Sequence, residues 1–193
     1  MSTNAPVHLT TAWPVFFGHA VTVRPLLPTD ADLEIELGRS LSSESLHHRF
    51  LNGGIKLNPR LLDRLLNVDF SRDLALIATA TFAGAETPLA VARYARLDDD
   101  PHAAEIAVTV ADPWQGYGIG KRLLGRLIEC AADAGLRRLL GDVHATNRRM
   151  LGLAGALGFG TRFHPDGGHL RLIELALDGR VAPPHALHEV NDL

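Results

Sequence analysis

The order of hydrophobic patterns along the chain predicts an α/β fold, a mixed and mostly antiparallel sheet flanked by helices. Three observations carry this. Leucines recur at helical spacing before residue 70 and again after residue 119. Strand-like segments fill residues 74–110. A glycine-rich turn, "WQGYGIGKRLL" from Trp114 to Leu124, then joins the last of those strands to a helix.

Residues 1–19, punctuated by Trp13-Pro14 and Gly18, hold no sustained period and predict an irregular arm. Ala20 to Arg24 predicts a short strand stopped by Pro25. Thr29 and Asp30 are capping residues for a helix in which Leu33, Leu37 and Leu41 recur every fourth position. A second helical stretch, "SSESLHHRF", has Ser42 or Ser43 as its cap and Glu44 in its first turn. Asn58-Pro59 opens a third, with Leu61, Leu62, Leu65 and Leu66 on one face.

"LALIATATF" and "PLAVARYARL" flank a loop containing Gly84 and Pro88, a hairpin signal. After the acidic turn Asp98-Asp99-Asp100-Pro101 comes "AAEIAVTV", a strand of strict parity. Ile106, Val108 and Val110 point one way, and Glu105, Ala107 and Thr109 the other. A helix follows the glycine turn to about Ala134, with Ile119, Leu123 and Leu127 on one stripe. "LRRLLGDVH" is a strand, Asn147 to Leu157 a short helix ended by Gly158, and "FGTRFH" and "HLRLIELAL" close the sheet around Pro165-Asp166-Gly167-Gly168. The expected organisation is one domain over residues 20–177, an N-terminal arm at 1–19 and a flexible C-terminal tail at 178–193 that contains Pro183-Pro184.

Bulk composition narrows the function classes. At 193 residues and 46% apolar, the chain can bury a core of ordinary size. A formal net charge of −3 leaves no basic surplus for wholesale nucleic-acid binding. The single Cys130 allows neither an internal disulfide nor a thiolate cage, and its leucine/alanine surroundings read as packing. No secretory pattern and no membrane-length apolar run is evident, so a cytoplasmic protein without membrane partners is expected, as a monomer or homodimer. His47-His48 and His185-x-x-His188 have no supporting ligand set, so no metal is expected.

The glycine turn has several rivals to exclude. A P-loop requires four residues between its first glycine and Gly-Lys, followed by Ser or Thr; from Gly116 to Gly120 there are three, and Arg122 follows Lys121. A dinucleotide fingerprint requires G-x-G-x-x-G, but from Gly116 or Gly118 the last position falls on Lys121 or Leu123. What remains is Q-x-x-G-x-G, from Gln115 through Gly118 to Gly120, between a strand and a helix. Its first-turn N–H groups, the helix dipole and Lys121-Arg122 suit a pyrophosphate; a plain packing turn is the alternative.

This stretch resembles the acetyl-CoA-binding motif of the GNAT N-acetyltransferase superfamily. "TNRRMLGLAGALGF", Thr146 to Phe159, is similar to the later family segment in which an Asn starts a helix ending in Leu-Gly-Phe. With "VRPLLPTDADLEIELGRSLSSESLHHRFL", "AEIAVTVADPWQGYGIGKRLL" and "LLGDVHATNRRML", the resemblance narrows to the protein-lysine acetyltransferase (Pat) branch and covers roughly residues 20 to 177. It implies a single GNAT-like domain. It implies acetyl-CoA as cosubstrate, its pyrophosphate cradled by backbone amides of Gln115, Gly116, Tyr117, Gly118, Ile119, Gly120 and Lys121. Main chain of the strand around Val108, Thr109 and Val110 pairs with the pantetheine arm, and the Val110 amide polarises the thioester carbonyl. Asn147 either contacts that arm or caps its helix.

Amine acetylation requires a neutral nitrogen, whereas a lysine amine has a reference pKa near ~10.4. A proton acceptor is therefore needed. Glu105 is the candidate: it lies just before the cofactor turn, away from the aliphatic side of its strand, and the resemblance makes it the general base rather than an ordinary exposed glutamate. Asp142 and His144 share one face of their strand and are candidates to flank an acceptor channel; the acidic turn is a candidate to attract a cation. Many GNAT enzymes carry a Tyr acid seven residues after the Asn. Here that position is Ala154, and neither Tyr94 nor Tyr117 replaces it by position. The expected acceptor is a protein lysine; the alternatives are a small amine, or a weakly catalytic acyl-CoA sensor.

Overall fold

The computed structural model describes residues 5–16, 18–51, 58–165 and 167–177. Among these, eight strands form one sheet in the order β1-β2-β3-β4-β5-β6-β8-β7. The strands are β1 (Thr11–Phe16), β2 (His19–Pro25), β3 (Leu74–Phe82), β4 (Ala85–Arg96), β5 (Ala103–Val110), β6 (Arg138–His144), β7 (Gly160–Phe163) and β8 (Leu170–Ala176). Neighbours pair antiparallel except β5 with β6. The helices are α1 (Ala31–Arg39), α2 (Ser43–Phe50), α3 (Pro59–Leu66), α4 (Ile119–Asp133) and α5 (Arg148–Ala156). The expected C-terminal tail, with His185 and His188, and Asp166 of the last turn lie outside the described residues.

Two hydrophobic cores lie on opposite faces of the sheet. On one, Leu123, Leu124 and Leu127 of α4 and Ala154 of α5 pack on Leu74, Leu76, Ala90, Ala92 and Ile106. On the other, Leu37 of α1 and Leu66 of α3 pack on Ala75, Ile77 and Val91. Strands β3 and β4 are thus covered twice, which explains why β3 is buried at every position from Leu74 to Ala80 rather than at alternate ones. Cys130 is buried in the α4 core, as its surroundings suggest, and burial pushes its thiol pKa up.

The N-terminal arm is not irregular throughout. Residues 11–16 form the edge strand β1, paired with β2. Its register slips between Trp13 and Phe16, around Pro14, and an edge bulge is where a strand tolerates proline. That break hid the strand's period from the sequence. Pro88 likewise belongs to β4 rather than to the hairpin loop; the turn is Ala83-Gly84 alone, both at positive φ. A bulge follows directly, since Ala78 faces Ala90 but Thr79 faces Pro88, leaving Leu89 extra.

Capping follows the sequence at three helices. Ser42 accepts from Ser45 N–H at 3.2 Å, Asn58 from Leu61 N–H at 3.0 Å, and Asn147 from Met150 N–H at 3.0 Å. Asp30 precedes α1 but makes no side-chain cap; its carboxylate instead accepts from Leu27 N–H at 2.7 Å and pairs with Arg24 at 2.6 Å.

A second buried pair ties α1 to the sheet. Arg93 on β4 reaches Glu34 at 3.2 Å, with the side chains 18% and 7% exposed. Burial pushes the Glu34 carboxyl up and Arg93 opposes it. Removing one partner strands the other charge in a low-dielectric site. Glu34→Ala is therefore expected to lower the unfolding free energy by about 3 kcal/mol, read by urea denaturation; a loss below about 1 kcal/mol would contradict the pairing.

Candidate active site

The site originates in the backbone of the one parallel strand pair. Between β5 and β6 the ladder joins Ala103–Glu105 to Arg138–Leu140 and stops. Beyond it Ile106–Val110 remains paired with β4 alone, and the strands part around a cleft of about 840 Å³. Gly141 marks the divergence. A Cβ there would lie 3.3 Å from the Ile106 carbonyl oxygen, a tight fit that a glycine avoids. The sequence signal for it, an isolated glycine inside a strand pattern, was present in "LRRLLGDVH".

Parity on β5 is as the alternation requires. Ile106, Val108 and Val110 face the α4 core. Opposite them in register, Tyr94, Ala92 and Ala90 face the same way, while Glu105, Ala107 and Thr109 share the other face with Ala95, Arg93 and Val91. Glu105 belongs to the last ladder pair, so it sits where the strands begin to separate. It lines the cleft with its side chain open to solvent on one side; partial desolvation first, then Asp142, push its carboxyl above the ordinary glutamate range, and Arg49 opposes them.

Arg49, on α2, was not singled out from the sequence. Burial and then Arg93 lower its guanidinium to about 10, with Glu34 and Glu105 opposing, so it stays charged at neutral pH. Charges thus run from the buried Glu34–Arg93 pair through Arg49 to Glu105. The neighbouring His48 also lines the cleft, where burial lowers its imidazole pKa, and Thr146 Oγ1 lies 3.4 Å from its Nε2.

The opposite end of the cleft is the glycine turn. Gly116 and Gly118 have φ of 84° and 85°, in the left-handed region, with open space where a Cβ would be. Gly118 is the N-cap of α4 and contributes no side-chain cap, unlike the residues before α2, α3 and α5. The first-turn N–H groups of Ile119, Gly120 and Lys121 therefore meet no capping side chain, and the helix dipole adds positive potential. Gly120 allows close packing: a Cβ there would stand 3.0 Å from Val110 Cγ2. Gln115 Nε2 donates to the Val110 carbonyl at 3.1 Å and its Oε1 accepts from Arg149 at 2.6 Å. The Tyr117 ring is 53% exposed. A second cavity of about 410 Å³ adjoins the turn through Gly118 and Lys121, and Arg122 and Arg126 line it. Arg122 lies 4.7 Å over the ring of Trp13.

Three other candidates resolve differently. Asn147 caps α5 and also lines the cleft. Asp142 lines the cleft and lies 3.3 Å from His164, whereas His144 is buried, bonded to the Leu51 carbonyl oxygen at 3.2 Å and stacked on His47 at 4.5 Å, a packing role. The acidic turn is committed elsewhere: Asp98 pairs with Arg72 at 2.7 Å and Asp100 with Arg138 at 3.0 Å, and neither lines the cleft. Among the described residues no group of three or more His, Cys, Asp or Glu could hold a metal ion, and no helix is long and apolar enough to cross a membrane.

Known proteins are similar to this chain in sequence and in fold. Residues 56–159 match the model of the acetyltransferase (GNAT) family. The chain is 34% identical over 160 residues to an acetyltransferase of Pseudomonas aeruginosa, covering 83% of this chain and 86% of that protein. It is 35% identical over 137 residues to the acetyltransferase Pat of Mycolicibacterium smegmatis, covering 70% of this chain but 40% of the relative. The crystal structure of the GNAT domain of S. lividans PAT superposes with a TM-score of 0.79 at 25% identity, covering 89% of this chain and 99% of that one.

Because the native environment raises the Glu105 pKa, an ionised Glu105 disfavours folding at neutral pH, and this cost disappears once both states are protonated below about 4.3. Glu105→Gln is expected to raise the thermal midpoint at pH 7 and leave it unchanged at pH 3. A lowered midpoint at pH 7 in calorimetry would contradict the desolvated carboxylate.

Proposed function

The chain belongs to the acetyltransferase (GNAT) family, and from that premise we propose that it acetylates the side-chain amine of a protein lysine, with Glu105 as general base. GNAT acetyltransferases use acetyl-CoA, and the residues present suit that cosubstrate. The uncapped start of α4 and Lys121 suit its pyrophosphate, and Arg122 and Arg126 in the adjoining cavity suit a further phosphate. The edge of β5 from Ile106 to Val110 runs about 3.3 Å per residue, ready to pair with an extended arm that carries amides of its own.

The observation that carries the reading is Glu105 at the point where β5 and β6 part, at the far end of the cleft from the glycine turn. A pyrophosphate at the turn directs the thioester along β5 toward that carboxylate. Glu105 takes a proton from the lysine ammonium, directly or through one water, and its raised pKa narrows the gap to the amine. The neutral nitrogen attacks the thioester carbonyl; the C–N bond forms, the C–S bond breaks, and the nitrogen's second proton passes to water, which supplies the proton taken up by the departing sulfur. The Val110 amide is the proposed donor to the carbonyl oxygen as charge develops there. Ala154 is wholly buried in the α4/α5 core, so no side chain from that position protonates the sulfur. A thiol of pKa near ~8.5 leaves as thiolate and takes its proton from water.

Glu105 and Asp142 at one end of the cleft suit a cationic acceptor, and the likeness to Pat of M. smegmatis and to the GNAT domain of S. lividans PAT supports the protein-acetylating branch. The test is labelled acetyl-CoA incubated with lysate. Label is expected on protein lysines with wild type, and at least about 100-fold less with Glu105→Gln at unchanged coenzyme affinity. Label confined to small amines would overturn the protein-lysine reading, and near-normal transfer by the variant would overturn the base.

Gly120→Asp tests the donor end. It brings a side chain against Val110 and a negative charge to the start of α4. Coenzyme A affinity by calorimetry is expected to fall about tenfold or more; unchanged affinity would move the pyrophosphate elsewhere.

A further inference from the structure

Helix α2 contributes His48 and Arg49 to the cleft, yet it is short and contains no fully buried side chain. Beside the His47 stack on His144 and the His48–Thr146 contact, its N-terminal end is held through Asp112, in the short 3-10 turn between β5 and the glycine turn. Asp112 Oδ2 accepts from Ser42 N–H at 3.0 Å, and Oδ1 accepts from the Ser45 hydroxyl at 2.7 Å. The same Oδ1 accepts from Gln115 Nε2 at 2.8 Å. Gln115 is thereby oriented, its amide nitrogen toward Asp112 and the Val110 carbonyl and its oxygen toward Arg149 on α5. One continuous hydrogen-bonded chain links the N-terminus of α2, the coenzyme turn and α5.

The geometry points to Asp112 as a positioning residue that docks the acceptor-side wall of the cleft onto the coenzyme turn. Asp112 touches neither Glu105 nor Arg49; it acts through α2, fixing the distance from Arg49 and His48 to Glu105. Two carboxylate oxygens accept three donors, a pattern an amide cannot reproduce, because its NH₂ would oppose a donor. The inference rests on the proposed entry of the acceptor beside Glu105.

The test combines kinetics with hydrogen exchange on the full chain. Asp112→Asn is expected to raise the acceptor KM about tenfold with kcat within twofold, and Ser45→Ala to raise it about threefold. The double variant should be no worse than Asp112→Asn, because both act on one chain of bonds. In the absence of any substrate, amide exchange across residues 43–50 should speed about tenfold in Asp112→Asn while β3 and β4 keep their protection. Unchanged exchange across α2, a fall in kcat at constant KM, or fully additive KM effects would each overturn the proposal. A wild type that acetylates no amine would count against the proposed function instead, and the exchange comparison would still decide the role of Asp112.

Discussion

Hydrogen bonding between β5 and β6 ends at Glu105 and Leu140, and the separation of the two strands beyond that point sets the free edge of β5, the cleft and the position of Glu105. Backbone donors and acceptors of an interior strand are normally spent on both neighbours. Here Ile106–Val110 has β4 on one side and the cleft on the other. Gly141, the first β6 residue past the ladder, lets the strands approach closely there, and the bulge at Leu89 lies at the other end of the same β4–β5 pair, where the Leu89 carbonyl accepts from Ala111 N–H at 2.9 Å. A fold that completed the ladder would be a better sheet without a place for a thioester.

The charges are arranged around that opening. Partial desolvation and then Asp142 raise the Glu105 carboxyl above its ordinary range, and Arg49 opposes the shift. Arg49 in turn stands between Glu105 and the Glu34–Arg93 pair. Stability and chemistry therefore share one electrostatic chain. At the other end, the start of α4 has no side-chain cap, so its first-turn N–H groups are not taken up as those of α2, α3 and α5 are.

Much of this was legible in the sequence because it is local. The alternation in "AAEIAVTV" separates Glu105 from the aliphatic face, and the β4 register agrees residue by residue. Spacing alone removed the P-loop and dinucleotide readings of the glycine turn, and Asn147 caps the helix it precedes. What was not legible depends on long-range pairing. The isolated Gly141 signals a close approach in β6, but neither strand announces that a parallel ladder will form with its neighbour and stop after three pairs. Arg49 reaches Glu105 across 56 positions of sequence (105 less 49), and Asp112 meets Ser42 and Ser45 only once α2 has docked. Strand β1 was missed because Pro14 breaks its period, and His144 and the acidic turn look reactive in sequence but are occupied by Leu51, Arg72 and Arg138 in the fold.

The most direct test of the parted strands as the donor site is residue-resolved amide hydrogen exchange with and without coenzyme A. The expected result is slowed exchange at those amides of residues 106–110 that point away from β4, with residues 103–105, already laddered to β6, unchanged. Protection that appears elsewhere while residues 106–110 exchange at their original rates would contradict it.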